Sequence, residues 1–99
     1  MKNTVAGYIT EIRRISQIGE QPLEDFLNSI DFDNLRRIEA IMYSGRPNQE
    51  SARDEKLNLP AQSKEDVVRT IVEKCRNLDV YFDRGLDRAR SEGLDLDSF

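Results

Sequence analysis

The chain predicts an all-α fold, a compact bundle of about five helices, and three observations carry that expectation. Apolar residues recur at gaps of three and four along most of the chain. Gly19, Gly45 and Pro47 punctuate those stretches where helices would end. Hydrophobic residues make up 37% and charged residues 34% of the 99 residues, a balance that suits a small helical domain and is too apolar for a disordered chain.

The first helix is expected over residues 4–18, with Val5, Tyr8, Ile9, Ile12 and Ile15 on one face. Asn3 or Thr4 can cap it, because a short side-chain oxygen accepts from the free amides of the first turn. Arg13 and Arg14 lie towards the end that the helix dipole makes negative. Gly19 sits where a helix commonly closes in a left-handed residue. A second helix over 22–30 puts Pro22 at the first helical position and buries Leu23, Phe26, Leu27 and Ile30. The third, over 32–44, is capped by Asp31 or Asp33 and carries Phe32, Leu35, Ile38, Ile41 and Met42 inward. Gly45 stops it.

Residues 46–62 read as a long polar loop, a length that needs a reason. Within it, residues 47–56 can form a short exposed helix, and Leu57, Leu59 and Pro60 are expected to pin the segment to the core. Residues 63–93 then hold the longest unbroken helical pattern. Val67, Val68, Ile71, Val72, Cys75, Leu78, Tyr81, Phe82, Leu86 and Ala89 stay on one stripe. Ser63 followed by Asp66 resembles a capping box. A straight helix of about 29 residues would span ~43 Å, against a diameter of roughly 33 Å for a compact domain of this size. The expectation is therefore a break near residues 76–79, giving helices 64–76 and 78–92. The alternative is one helix whose excess packs on a second molecule. Gly85 lies on the apolar face, where glycine costs ~1 kcal/mol relative to alanine, and marks a close helix crossing. The chain forms one helical domain over residues 1–99, with residues 93–99 expected as a flexible acidic tail.

Composition narrows the function classes. There is no histidine and no tryptophan. The usual general base and the commonest metal ligand are thus missing. The single cysteine, Cys75, cannot form an intramolecular disulfide or a structural zinc site, and its place on the apolar stripe predicts burial. No apolar run approaches the ~20 residues of a membrane span. The first residues show no apolar block with a small-residue cleavage site, so a cytoplasmic location is expected. No catalytic residue, cofactor or metal ligand is identified, and the protein is expected not to be an enzyme.

The net charge of −4 argues against direct nucleic-acid binding. Residues 20–33 carry Glu20, Glu24, Asp25, Asp31 and Asp33 and no basic residue. These acids can cap helices and solvate their faces, or they can meet a basic partner in the manner of a phosphate path. Arg36 and Arg37 fall early in the third helix, the end the dipole disfavours for cations, and are expected to pair with Asp33, Glu24 or Asp25. With Arg46 they form the other candidate partner-binding residues. A tight turn between the second and third helices, with arginines in the latter, also permits a helix-turn-helix reading. Asp31 and Asp33 at the end that would face phosphate weigh against it.

Met42-Tyr43-Ser44-Gly45-Arg46, followed by Leu78, Tyr81, Phe82, Gly85 and Leu86, resembles a small bacterial helical family without an assigned activity. Its pattern is an M-aromatic-x-G-R stretch followed by an L-x-x-Y-x-x-x-G-L helix. The likeness covers residues 30–92 and departs at Arg76-Asn77, where a proline would be expected. It implies a helical fold, a bacterial or phage ancestry, and a fixed arginine at position 46. The residues themselves leave a protein that binds another macromolecule. The most concrete form is a phage or mobile-element inhibitor of the anti-CRISPR kind, covering a basic nucleic-acid-binding surface of another protein. A self-assembling bacterial adaptor, a homodimer through the last helices, is the alternative.

Overall fold

The computed structural model describes residues 4–46, 51–60 and 62–99. Among them are six α-helices and one 3-10 turn. The helices are α1 (Val5–Ser16), α2 (Glu20–Asn28), α3 (Phe32–Ser44), α4 (Ala52–Asn58), α5 (Lys64–Glu73) and α6 (Leu78–Ser91); the 3-10 turn covers Cys75–Asn77. The all-α expectation is met, with six helices where about five were expected; the additional one, α4, lies within the expected loop.

Local chemistry explains most of the boundaries. The Thr4 hydroxyl accepts from the Gly7 N–H at 3.1 Å and starts α1. The Asp31 carboxylate accepts from the Asn34 N–H at 3.1 Å, and the Ser63 hydroxyl from the Asp66 N–H at 3.2 Å. Each removes a free amide from a first turn. Pro22 is not the first residue of α2, since the helix opens at Glu20. Proline is tolerated there because none of the first four amides of a helix has a partner within it. Neither Gly19 nor Gly45 is left-handed: the first is extended (φ 163°) and the second right-handed (φ −79°). The left-handed glycine is Gly93 (φ 68°), which lets the Leu94 N–H reach back to the Ala89 carbonyl at 2.9 Å and close α6.

The long helical stretch does break. The molecule measures 33 × 30 × 26 Å, too short for a straight rod of ~43 Å. The Lys74 N–H closes on the Ile71 carbonyl and Asn77 on that of Lys74, so one 3-10 turn redirects α5 into α6. The apolar phase carries through that turn, and both helices bury their stripe in one core.

That core is organised around α3, which packs against α1, α4, α5 and α6. Leu35, Ile38, Ile41 and Met42 are fully buried, together with Ile9, Ile12, Leu23, Leu27, Ile71, Leu78 and Phe82. α2 closes the opposite side, resting on α1 and α5. The Lys64 ammonium donates to the Asn28 carbonyl at 3.0 Å, placing a cation on the negative end of α2. The α3–α6 crossing is a backbone contact. A Cβ on Gly85 would collide with the Ile41 carbonyl, and one on Gly45 with the Tyr81 backbone. Gly85 thus marks the close crossing its position predicts. Gly45 serves the same crossing as well as ending α3.

The 46–62 connection differs from the expected loop. It contains α4, started by the Ser51 hydroxyl accepting from the Asp54 N–H at 3.3 Å. A helix start at Pro47 lies outside the described residues. Ala52, not Leu57, is the anchor: Ala52 is buried, Leu59 is half-buried, and Leu57 is 77% exposed. Pro60 is exposed as well. Residues 93–99, expected as a flexible acidic tail, lie against the bundle here. Asp97 Oδ1 accepts from the Val5 N–H at 2.8 Å, the Phe99 carbonyl accepts from Arg37 Nε at 2.9 Å, and Leu94, Leu96 and Phe99 rest on the core.

Candidate functional site

The acidic residues singled out in the sequence form an exposed edge along α2 and the start of α3. Glu20, Glu24, Asp25, Asp31 and Asp33 are all solvent-exposed. Helical geometry explains why. Leu23, Leu27 and Ile30 take the buried stripe of α2 and its turn, which leaves positions 20, 24, 25 and 31 outward. Among the described residues none of the five makes a salt bridge. Asp25 accepts from the Gln21 amide at 3.0 Å. At Asp31 desolvation opposes ionisation, but the hydrogen bonds from the Asn34 backbone and side chain, the Asp31 backbone N–H and the charge of Arg37 together hold the carboxyl below its ordinary value.

Glu24 also borders a groove of about 440 Å³ between α2 and α5, whose other walls include Asn28, Lys64, Glu65, Val68 and Val72. Its floor is narrow: Val68 is almost fully covered and Val72 half so. Lys64 and Arg69 line it beside Glu24, Glu65 and Glu73, so it is an open groove of mixed charge.

The arginines take different partners from those expected. Arg36 does not meet Asp33, Glu24 or Asp25. Its guanidinium donates to Glu39 Oε1 at 3.4 Å and to Gln62 Oε1 at 3.2 Å, and lies 5.8 Å from the Phe32 ring centroid. Arg37 donates to the Phe99 carbonyl and, at 3.0 Å, to the Asn34 side chain. Glu39, Phe32 and Asn34 are neighbours on the same helix, whereas Gln62 and Phe99 come from segments that the local sequence does not show to be near. Arg46 stacks on Tyr43, 4.6 Å from the ring centroid. Of the three, Arg37 lies near the acidic residues: it shares Asn34 with Asp31 and helps to lower that carboxyl. Arg13, by contrast, bridges α1 to α6 through Asp79 at 2.9 Å and Asp83 at 2.7 Å, and its pKa is raised, first by the hydrogen bond to Asp79.

A second constellation was not anticipated. Glu39, on α3, is fully buried, and its Oε2 has no hydrogen-bond partner. Burial pushes its carboxyl up to about 7, against the pull of Arg36 and Lys74. The Tyr43 hydroxyl is raised too, first by burial and then by Glu39. Lys74 lies 6.0 Å from the Tyr43 ring centroid, so two cations flank that ring. Arg36, Glu39 and Tyr43 follow one another at helical spacing on α3, and Arg46, just beyond its end, stacks on Tyr43. The signal for Glu39 was present in the sequence: with Leu35, Ile38 and Met42 it completes an i, i+3, i+4, i+7 face.

Cys75 sits in the 3-10 turn, packed against the core but only half-buried, less enclosed than its stripe position predicts. Among the described residues, no group of three or more Cys, Asp or Glu is placed to hold a metal ion, and no helix is long and apolar enough to cross a membrane. Comparison with protein-family models, with curated proteins and with solved structures gave no match.

Proposed function

We propose that this chain works by binding another macromolecule through its acidic edge, without catalysis of its own. The observation that supports this reading is the state of the five carboxylates. Glu20, Glu24, Asp25, Asp31 and Asp33 are exposed and carry no salt bridge to a described residue, while Arg13, Arg36 and Arg37 are engaged inside the fold. An uncompensated row of charge on two short, well-anchored helices presents a fixed negative field. Such a field steers a basic partner and sets its register. The most concrete partner is a protein complex whose basic surface binds nucleic acid. The chain would cover that surface, as a phage or mobile-element inhibitor of the anti-CRISPR kind does.

The test is capture from a bacterial lysate followed by reconstitution. The captured complex should bind nucleic acid, and adding the chain should displace it in a salt-sensitive manner. Reversing Glu20, Glu24, Asp25 and Asp33 to lysine together should weaken capture at least tenfold. Asp31 is left intact in that variant because it caps α3. Capture unchanged by the four reversals would remove the acidic edge from the mechanism.

A further inference from the structure

The groove between α2 and α5 carries charge of both signs, yet its charges are not equally free. The two helices run antiparallel there: Lys64, at the start of α5, donates to the carbonyl of Asn28, at the end of α2. Along α5, Glu65, Val68, Arg69, Val72 and Glu73 recur at gaps of three and four, so they share the face that turns towards the groove.

The cations of the groove are already committed. The Lys64 ammonium is held by the Asn28 carbonyl at 3.0 Å, and the Arg69 guanidinium lies 3.7 Å from Glu65 and 3.5 Å from Asp66. Glu24 and Glu73 differ. Each is exposed, and neither makes an ion pair or a side-chain hydrogen bond among the described residues. Glu24 stands on α2 and Glu73 closes α5, so the uncommitted charge of the groove is negative and comes from both walls. The floor is apolar: Val68 is 3% exposed and Val72 half-buried.

A groove of about 440 Å³ with an apolar floor and carboxylates on both walls matches one kind of side chain, a long aliphatic stem that ends in a cation. Arginine suits it better than lysine. Its guanidinium is the more weakly hydrated head group, and its fork can bond carboxylates on two sides at once. We propose that the α2–α5 groove seats an arginine side chain of a basic protein partner, with the stem on Val68 and Val72 and the guanidinium between Glu24 and Glu73. This rests on the acidic edge as a binding surface and deepens it. Glu24 belongs to both: the edge draws the partner in, and the groove selects the side chain that is taken up.

Titration of the full chain with nona-arginine at low salt, followed by NMR and calorimetry, tests it. The methyl resonances of Val68 and Val72 should shift together with the amides of residues 20–33. Glu73→Lys should weaken binding by at least about fivefold. Asp87→Lys makes the same change of charge at an exposed position of α6 and should weaken it less than about twofold. Nona-lysine should bind several-fold more weakly than nona-arginine. Shifts confined to the edge, with both valine methyls unmoved, overturn the groove and leave the edge standing. Equal losses in Glu73→Lys and Asp87→Lys do the same. Equal binding of nona-lysine overturns the choice of arginine. If neither peptide binds, the edge and the groove fall together.

Discussion

α3 has two broad neighbours, α6 and α4, and they are held in opposite ways. Against α6 the backbones meet. Gly85 lies on the Ile41 carbonyl and Gly45 on the Tyr81 backbone, with Leu78 and Phe82 buried around them. Against α4 the described burial comes from one alanine, and the polar contact at Gln62 lies beyond the helix. A backbone contact fixes one geometry, because no side chain can rotate to relieve a misfit. The contact with α4 is as broad, yet among the described side chains of that helix only Ala52 is buried.

The largest expected effect breaks the rigid side. Alanine at Gly85 gains ~1 kcal/mol by helix propensity, yet its Cβ meets the Ile41 carbonyl. Overpacking against backbone costs about 3 kcal/mol or more when nothing can yield. The sign therefore decides: urea denaturation of Gly85→Ala, and of Gly45→Ala, should show a clear loss of stability. A gain would mean that α3 and α6 separate freely.

Next in size is the pH dependence carried by Glu39. Its folded pKa is raised from 4.5 to about 7, so the native state keeps a proton that the unfolded chain has lost. Stability from this group is complete below 4.5 and falls as pH rises towards 7. The difference is on the order of 3 kcal/mol. Glu39→Gln should remove that slope and be the more stable protein at about pH 8, as measured by urea midpoints at about pH 5 and about pH 8. A slope unchanged by the substitution would assign it to other groups.

The smallest effect sharpens the comparison on the α4 side. Ser51→Ala removes the cap of α4 at a local cost of ~1 kcal/mol. Exchange within α4 should quicken about fivefold, while the urea midpoint stays close to that of the wild type. A midpoint that falls by the full cost would show α4 to be part of the cooperative core.

Much of this architecture is legible in the sequence because it depends on neighbours three and four residues apart. Thr4, Asp31 and Ser63 announce helix starts, and the length of residues 63–93 forces a break. What stays hidden depends on distant partners. Arg36 meets Gln62 and Arg37 meets Phe99, separations of 26 and 62 residues, and nothing local signals either. Gly45 reads as a helix stop because its collision partner, Tyr81, lies in another helix. Glu39 reads as a surface acid because carboxylates are rarely buried, although its position on the stripe of Leu35 and Met42 pointed inward. The acidic edge is legible as a run of like charge; its freedom from salt bridges depends on where the arginines go.

Tyr43 stands between Arg46 and Lys74, beside Glu39 and within reach of Glu55. The chain has no tryptophan and three tyrosines, so no indole signal masks theirs. A change of charge at Glu39, or a displacement of Glu55, alters the field across one of only three tyrosines. The fold therefore contains its own optical gauge, placed where charge and packing meet.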